Sequence, residues 1–144
     1  MVKKNKGFNL IELLIVIAVI GVLVFIAYPS YVQYNVKTHR VDMQTEMIRI
    51  ASALQRYQML NATYLVDDIP ITLADLNIST TYPNAQTALY TLNLSDVTAG
   101  TWILTATPVL NEVQQGNGSI VLTHSGEKCW TEGQVCVPTS NTTW

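Results

Sequence analysis

Few side chains in this sequence could do chemistry, and they stand apart from one another. Glu12 is a carboxylate in an apolar stretch: Phe8, Leu10 and Ile11 precede it, and Leu13 to Tyr28 follows without a charged or strongly polar residue. In lipid such an acid is expensive unless it is paired or reaches the interface, so it asks for a cationic partner. Cys129 and Cys136 are spaced too widely for a CxxC redox or metal motif. With only His39 and His124 beside them, they are too few for a zinc finger or a cluster site. No Ser/His/Asp order, close carboxylate pair or glycine-rich phosphate loop stands out. The chain reads as a non-enzyme with no metal and no cofactor.

The elements that must position these residues follow from composition and patterning. The chain has 144 residues, which fits one domain. Charged residues make up 12 %, about half the usual share, and mean hydropathy is +0.23. The 49 % of hydrophobic residues excludes intrinsic disorder. Three of the eight basic residues, Lys3, Lys4 and Lys6, precede the apolar run. From Met59 onward Lys128 alone faces seven carboxylates, so the C-terminal body is acidic.

Phe8 to Tyr28 would span roughly 31 Å as a helix, enough to cross a bilayer. The lysines ahead of it favour a cytoplasmic N-terminus. A cleavable secretory signal would need a small-x-small site, and Ile26-Ala27-Tyr28-Pro29 is a poor one. A plain single-span anchor leaves Glu12 unexplained.

The segment Lys6-Gly7-Phe8-Asn9-Leu10-Ile11-Glu12 with the apolar run behind it resembles the class III signal of type IV pilins. That resemblance implies cleavage between Gly7 and Phe8 by a prepilin peptidase and N-methylation of Phe8. It also implies that Glu12 pairs with the terminal ammonium of a neighbouring subunit. Gly7 leaves the scissile bond unobstructed. A buried Glu12 would favour one stagger between subunits, as a buried polar residue does in a coiled coil. Most members carry Thr after the Phe, where this chain has Asn9. Pro29 and the run Tyr28-Pro-Ser-Tyr-Val-Gln-Tyr34 resemble type IVa pilins. Pro29 removes one helical hydrogen bond and should bend or loosen the helix.

Beyond the neck, Val36, Met43, Met47, Ile50, Leu54 and Tyr57 form a helical stripe. Asp42, Thr45, Arg49, Ser52 and Arg56 lie opposite it, and the Met43/Met47 pair reads as core filler. The helix is expected to end near Leu60. Asn61 to Gln86, broken by Pro70 and Pro83, reads as an irregular connection, with room for a turn of helix between Ile69 and Leu76. Alternation predicts strands over Thr87–Leu94, Thr101–Thr107 and Ser119–His124, the last with His124 facing inward as a structural histidine. The expected fold is α+β: a long N-terminal helix on a small antiparallel sheet, the type IV pilin layout. The expected parts are a cytoplasmic leader 1–7, a transmembrane and filament-core helix 8–34, and a periplasmic or surface-exposed head 35–144.

If the head is exported, Cys129 and Cys136 should form a disulfide, worth roughly 2–3 kcal/mol by chain entropy. The stretch from Ile120 to Trp130 resembles the ending of one minor-pilin group. That group places its first Cys just before the late strand, where this chain has Gly118 and Ser119. Asn-x-Ser/Thr sequons begin at Asn61, Asn77, Asn93, Asn117 and Asn141.

Lys37, His39 and Arg40 form the most positive spot, read first as a neck that touches lipid head groups or a neighbour's acids. The sharper alternative is DNA, since some minor pilins bind DNA for uptake. The acidic body argues against strong non-specific binding, so DNA is the less favoured partner. The resemblance implies a type IV pilus subunit, minor rather than major, serving pilus biogenesis, twitching, adhesion or DNA uptake. The alternatives are a type II secretion pseudopilin and a DNA-binding competence pilin. Its implied partners are other pilins, the prepilin peptidase, the assembly machinery and the inner membrane before assembly.

Protein isolated from the membranes of its native host should begin at methylated Phe8 and lack two hydrogens at Cys129 and Cys136. An intact mass that still starts at Met1, in cells whose prepilin peptidase is active, would refute the processing.

Overall fold

A computed structural model describes residues 9–84 and 87–144. Gly7, Phe8 and the leader 1–7 lie outside the described residues. The chain divides into two compact units, Met1–Lys37 and Thr38–Trp144. Helix α1, Leu10–Asn61, contributes to both.

In the first unit α1 is apolar and exposed throughout its membrane-length stretch, with Leu10 75 % and Phe25 81 % accessible. Asn9 caps it: its Oδ1 accepts the Ile11 N–H at 3.5 Å, and its carbonyl accepts the N–H of Glu12 and of Leu13. Pro29 lies inside α1, which continues on both sides of it. Proline brings no N–H, so the carbonyl four residues earlier loses its intrahelical donor.

In the second unit the expected stripe is buried. Met43, Met47, Ile50 and Leu54 are fully inaccessible, and Tyr57 packs against them. They share one core with Tyr90, Leu92, Trp102, Leu104, Ala106, Ile120 and Leu122. Asp42, Thr45, Arg49, Ser52 and Arg56 are all exposed. A helix with one apolar face is stable here because a sheet covers that face.

The sheet is a five-stranded antiparallel meander in chain order. Its strands are β3 Thr81–Tyr82, β4 Tyr90–Ser95, β5 Ile103–Pro108, β6 Ile120–Thr123 and β7 Lys128–Trp130. A separate two-stranded hairpin, β1 Leu65–Val66 and β2 Ile69–Pro70, precedes it, followed by a 3-10 turn at Ala74–Leu76. Register places Leu92 opposite Ala106 and Leu104 opposite Leu122, so the inward residues of β4, β5 and β6 line up.

The expected strands therefore exist, but two begin two or three residues later than alternation suggested. Two short strands, β3 and β7, extend the sheet at its edges. Both are too brief to show a period of two in sequence. One expectation is corrected: His124 is exposed and lies outside β6. The strand ends at Thr123, and the chain turns there, with the Gly126 N–H donating to the Thr123 carbonyl. Val121 and Thr123 are buried as well as Ile120 and Leu122, so β6 is covered on both faces.

Cys129 lies in β7, and its disulfide to Cys136 ties the tail back to that edge strand. Gly118 is where the tail passes closest. Its φ is +81°, and a Cβ there would lie 2.0 Å from the Thr131 carbonyl oxygen and 3.0 Å from that of Gln134. Both obstacles are backbone, so neither can rotate away. Gly118→Ala should destabilise the protein by more than about 2 kcal/mol. Thermal unfolding beside Gly100→Ala, where a Cβ meets nothing within 4 Å, checks this.

Candidate functional site

The residues singled out in the sequence do not converge on one centre. Glu12 sits exposed in the first turn of α1, a position that favours a carboxylate through the helix dipole. The cation it would meet has to come from another molecule or from the described chain's own N-terminal segment; among the described residues no ion pair to Glu12 is present. The Cys129–Cys136 bridge is formed in the second unit.

Of the cluster read as a positive spot, the structure engages Arg40 within the head. The Arg40 guanidinium carbon lies 3.6 Å from the centroid of the Trp130 ring. Its Nη1 donates to Asn117 Oδ1 at 3.0 Å. Asn117 Nδ2 donates to Gln114 Oε1 at 2.7 Å, and the Tyr90 hydroxyl donates to that same oxygen at 2.7 Å. Trp130 Nε1 donates to the Asn117 carbonyl at 2.7 Å. Arg40 is thus the outer end of a buried polar chain that joins α1, β4, β7 and the 111–118 loop. Its charge is engaged in stacking and hydrogen bonding and is poorly placed for a phosphate.

Other cations of this unit are also engaged. Arg49 Nε and Nη2 donate to the two carboxylate oxygens of Glu46 at 2.8 and 2.5 Å. Lys128 Nζ lies 4.9 Å from the Trp144 ring centroid, and Trp144 Nε1 donates to the Val121 carbonyl at 3.2 Å. The last residue of the chain is thereby held at the sheet edge, beside the lysine that stands alone in the acidic half.

Sequence reasoning did not find Gln114 or Asn117. Gln114 is wholly buried and Asn117 nearly so, yet both sit in a polar segment with no periodicity to mark them. The sequon at Asn117 is therefore inaccessible, whereas Asn61, Asn93 and Asn141 are exposed. Trp102 was expected on the inward face of its strand; it is 1 % exposed and stands just before β5. Among the described residues, no group of three or more metal-ligating side chains is present.

The comparisons with known proteins divide along the chain. A model of the prokaryotic N-terminal methylation motif matches residues 2–28. Among curated relatives, the type IV major pilin protein PilA of Myxococcus xanthus is 33 % identical over 54 residues, covering 38 % of this chain and 24 % of that protein. A fimbrial protein of Pseudomonas aeruginosa is 42 % identical over 53 residues, or 37 % of this chain and 34 % of its own. The type II secretion system core protein G of Klebsiella pneumoniae is 26 % identical over 84 residues, 58 % of this chain and 56 % of its own. The match thus spans a quarter to about half of the length of these relatives.

Burial pushes the Tyr90 phenol up to about 12, with Asn117 and Arg40 acting in the opposite, weaker sense. The folded state holds this proton more tightly than the unfolded state, whose phenol titrates near 10. Its contribution is complete below about pH 10 and is lost as pH rises toward 12. Urea unfolding across that window should show stability falling with pH, and Tyr90→Phe should remove part of the slope. An unchanged slope in the variant would mean that the phenol is not protected.

A second family model, described as "type IV minor pilin ComP, DNA uptake sequence receptor", matches residues 29–129, more than two thirds of the sequence, and the chain belongs to that family.

Proposed function

We propose that this chain is a minor subunit of a type IV pilus whose head receives DNA for uptake. The observation that carries this reading is the match of the receptor family to residues 29–129, the stretch that contains the sheet and its core. The methylation motif over residues 2–28 supplies the route into the filament.

The mechanism runs from processing to assembly to capture. Cleavage after Gly7 exposes an ammonium on Phe8, which is methylated. The apolar part of α1 waits in the inner membrane with the head, residues 35–144, exported. Glu12 then docks on a neighbour's terminal ammonium, and the exposed Leu, Ile and Val of α1 exchange lipid for other helices. The prepilin peptidase and the assembly machinery act on this chain; its family and relatives are structural pilins.

The similarity to a type II secretion core protein supports a pseudopilin as the second reading. The receptor family match favours the pilus, because it covers the head, where the role of a pilin is decided.

DNA capture on this head is not driven by bulk charge. Arg40 and Arg49 are engaged and Lys128 lies on the Trp144 ring, so few cations of the head are left to meet phosphate. Neutralising about two or three phosphates gives a shallow salt dependence, with log K falling by roughly 2 to 3 per decade of salt. Retardation of duplex DNA by the full chain in detergent micelles should follow that slope and depend on sequence. The absence of any shift at low salt and high protein concentration would remove the DNA part and leave a pilus subunit of another role.

A further inference from the structure

Residues 137–144 follow the disulfide and lead back to the sheet. Val137 is 76 % exposed, and Thr139, Ser140, Asn141 and Thr143 are exposed as well. Among the described residues, the hydrogen bonds of 137–143 stay within one turn, where Thr139 and Thr142 bond to each other through backbone and hydroxyl groups. Two anchors hold the segment to the head. One is covalent, the bridge from Cys136 to Cys129 in β7. The other is Trp144, whose Nε1 donates to the Val121 carbonyl at 3.2 Å and whose ring packs against the core.

The second anchor sits on the lysine. Lys128 Nζ lies 4.9 Å from the Trp144 ring centroid. From Met59 onward it is the one lysine beside seven carboxylates, and Glu127 and Glu132 stand close to it in sequence. Among the described residues none of these acids forms an ion pair with it. Its charge faces an indole instead. A phosphate that takes Lys128 has to draw the ammonium off the ring and so loses the cation–π attraction. The chain between the two anchors does little to keep the contact shut. A segment with few buried apolar contacts and an exposed backbone opens at low cost. Opening at Trp144 frees the segment from the head, and the disulfide keeps it tethered.

We propose that residues 137–144 form a strap, closed by Trp144 and tethered by Cys136, that withholds Lys128 from backbone phosphates. The proposal rests on the DNA-receptor reading for the identity of the polyanion and adds a control on its reception. Closed, the strap keeps one phosphate contact out of reach and holds indifferent binding low. Open, it adds that contact, which steepens the fall of log K with log salt by about 0.9. An exposed cation–π contact corresponds to a factor of about two to five in affinity, so the control is modest and reversible.

The experiment uses the full chain in detergent micelles and a duplex of mixed sequence. Trp144→Leu keeps an apolar side chain at the sheet and removes both the ring face and the N–H; its thermal midpoint shows whether it is folded. It should bind the duplex about two- to fivefold more tightly at low salt, with a salt slope steeper by about 0.9. Lys128→Gln in that background should cancel both changes, and alone it should alter wild-type binding by less than about twofold. A second readout needs no DNA. Acetylation of Lys128 by acetic anhydride, followed by peptide mass, should run about two- to fivefold faster in Trp144→Leu than in the wild type, with Lys37 as the unchanged reference. A third needs no variant: saturating duplex should shift the 15N signal of the wild-type Trp144 indole as its N–H leaves the Val121 carbonyl. The proposal is overturned if folded Trp144→Leu acetylates Lys128 at the wild-type rate, or if duplex binds the wild type and leaves the Trp144 signal unmoved. It is equally overturned if the variant binds DNA no more tightly than a wild type that does bind, or if its gain survives Lys128→Gln. If neither protein retards any duplex, the receptor reading fails and acetylation alone decides the strap: the faster rate upholds it, and an equal rate overturns it.

Discussion

The burial of one helical stripe against one sheet face is the constraint on which the head depends. Met43, Met47, Ile50 and Leu54 are inaccessible to solvent and lie in the same core as the inward residues of β4, β5 and β6. Each such side chain is worth about 1.5–3 kcal/mol when removed from water. Neither element can bury that surface alone, so the sheet forms because the helix is there and the helix keeps its shape because the sheet is. The first unit obeys the opposite rule. Its helix is apolar all round, and among the described residues nothing of its membrane-length stretch is buried. A helix of that kind asks for lipid or for other helices.

The polar chain from Arg40 through Asn117 and Gln114 to Tyr90 decides what charge remains available. It satisfies a buried glutamine and a buried phenol, and it fixes the 111–118 loop onto α1. Breaking it by removing one member would strand the others, which is why such networks are all-or-nothing. The consequence reaches function. A sequence count treats Arg40 as a free cation beside Lys37 and His39. The structure makes it a structural cation stacked on Trp130, beside the disulfide-bearing strand.

What could be read from sequence follows from how each feature is encoded. The stripe was legible because period 3.6 persists for several turns between Met43 and Tyr57, and no short-range feature contradicts it. The three central strands were legible because alternation survives for six residues in β4 and β5. Strands β3 and β7 are two and three residues long, too short for any period, and exist only because a neighbouring strand offers hydrogen bonds. His124 was placed inward by extending the alternation of Ile120 and Leu122 one step too far; the turn at Gly126 ends the strand first. The burial of Gln114 and Asn117 is a property of tertiary placement. No local pattern distinguishes a buried glutamine in a polar loop from an exposed one.

These placements bear on how an acidic head can select DNA at all. Affinity that comes from many phosphate contacts is indifferent to sequence, and a receptor built that way would be occupied by any polyanion. Engaging Arg40 and Arg49 inside the fold removes much of that indifferent attraction. Lys128, the one lysine from Met59 onward, lies on the Trp144 ring at the end of the sheet. Weak non-specific binding raises the ratio of specific to non-specific affinity even when the specific affinity is modest, and that ratio is the quantity a receptor for a particular sequence needs. An acidic composition and the proposed DNA-receptor role are then compatible, because few cations of the head are left for non-specific phosphate contacts.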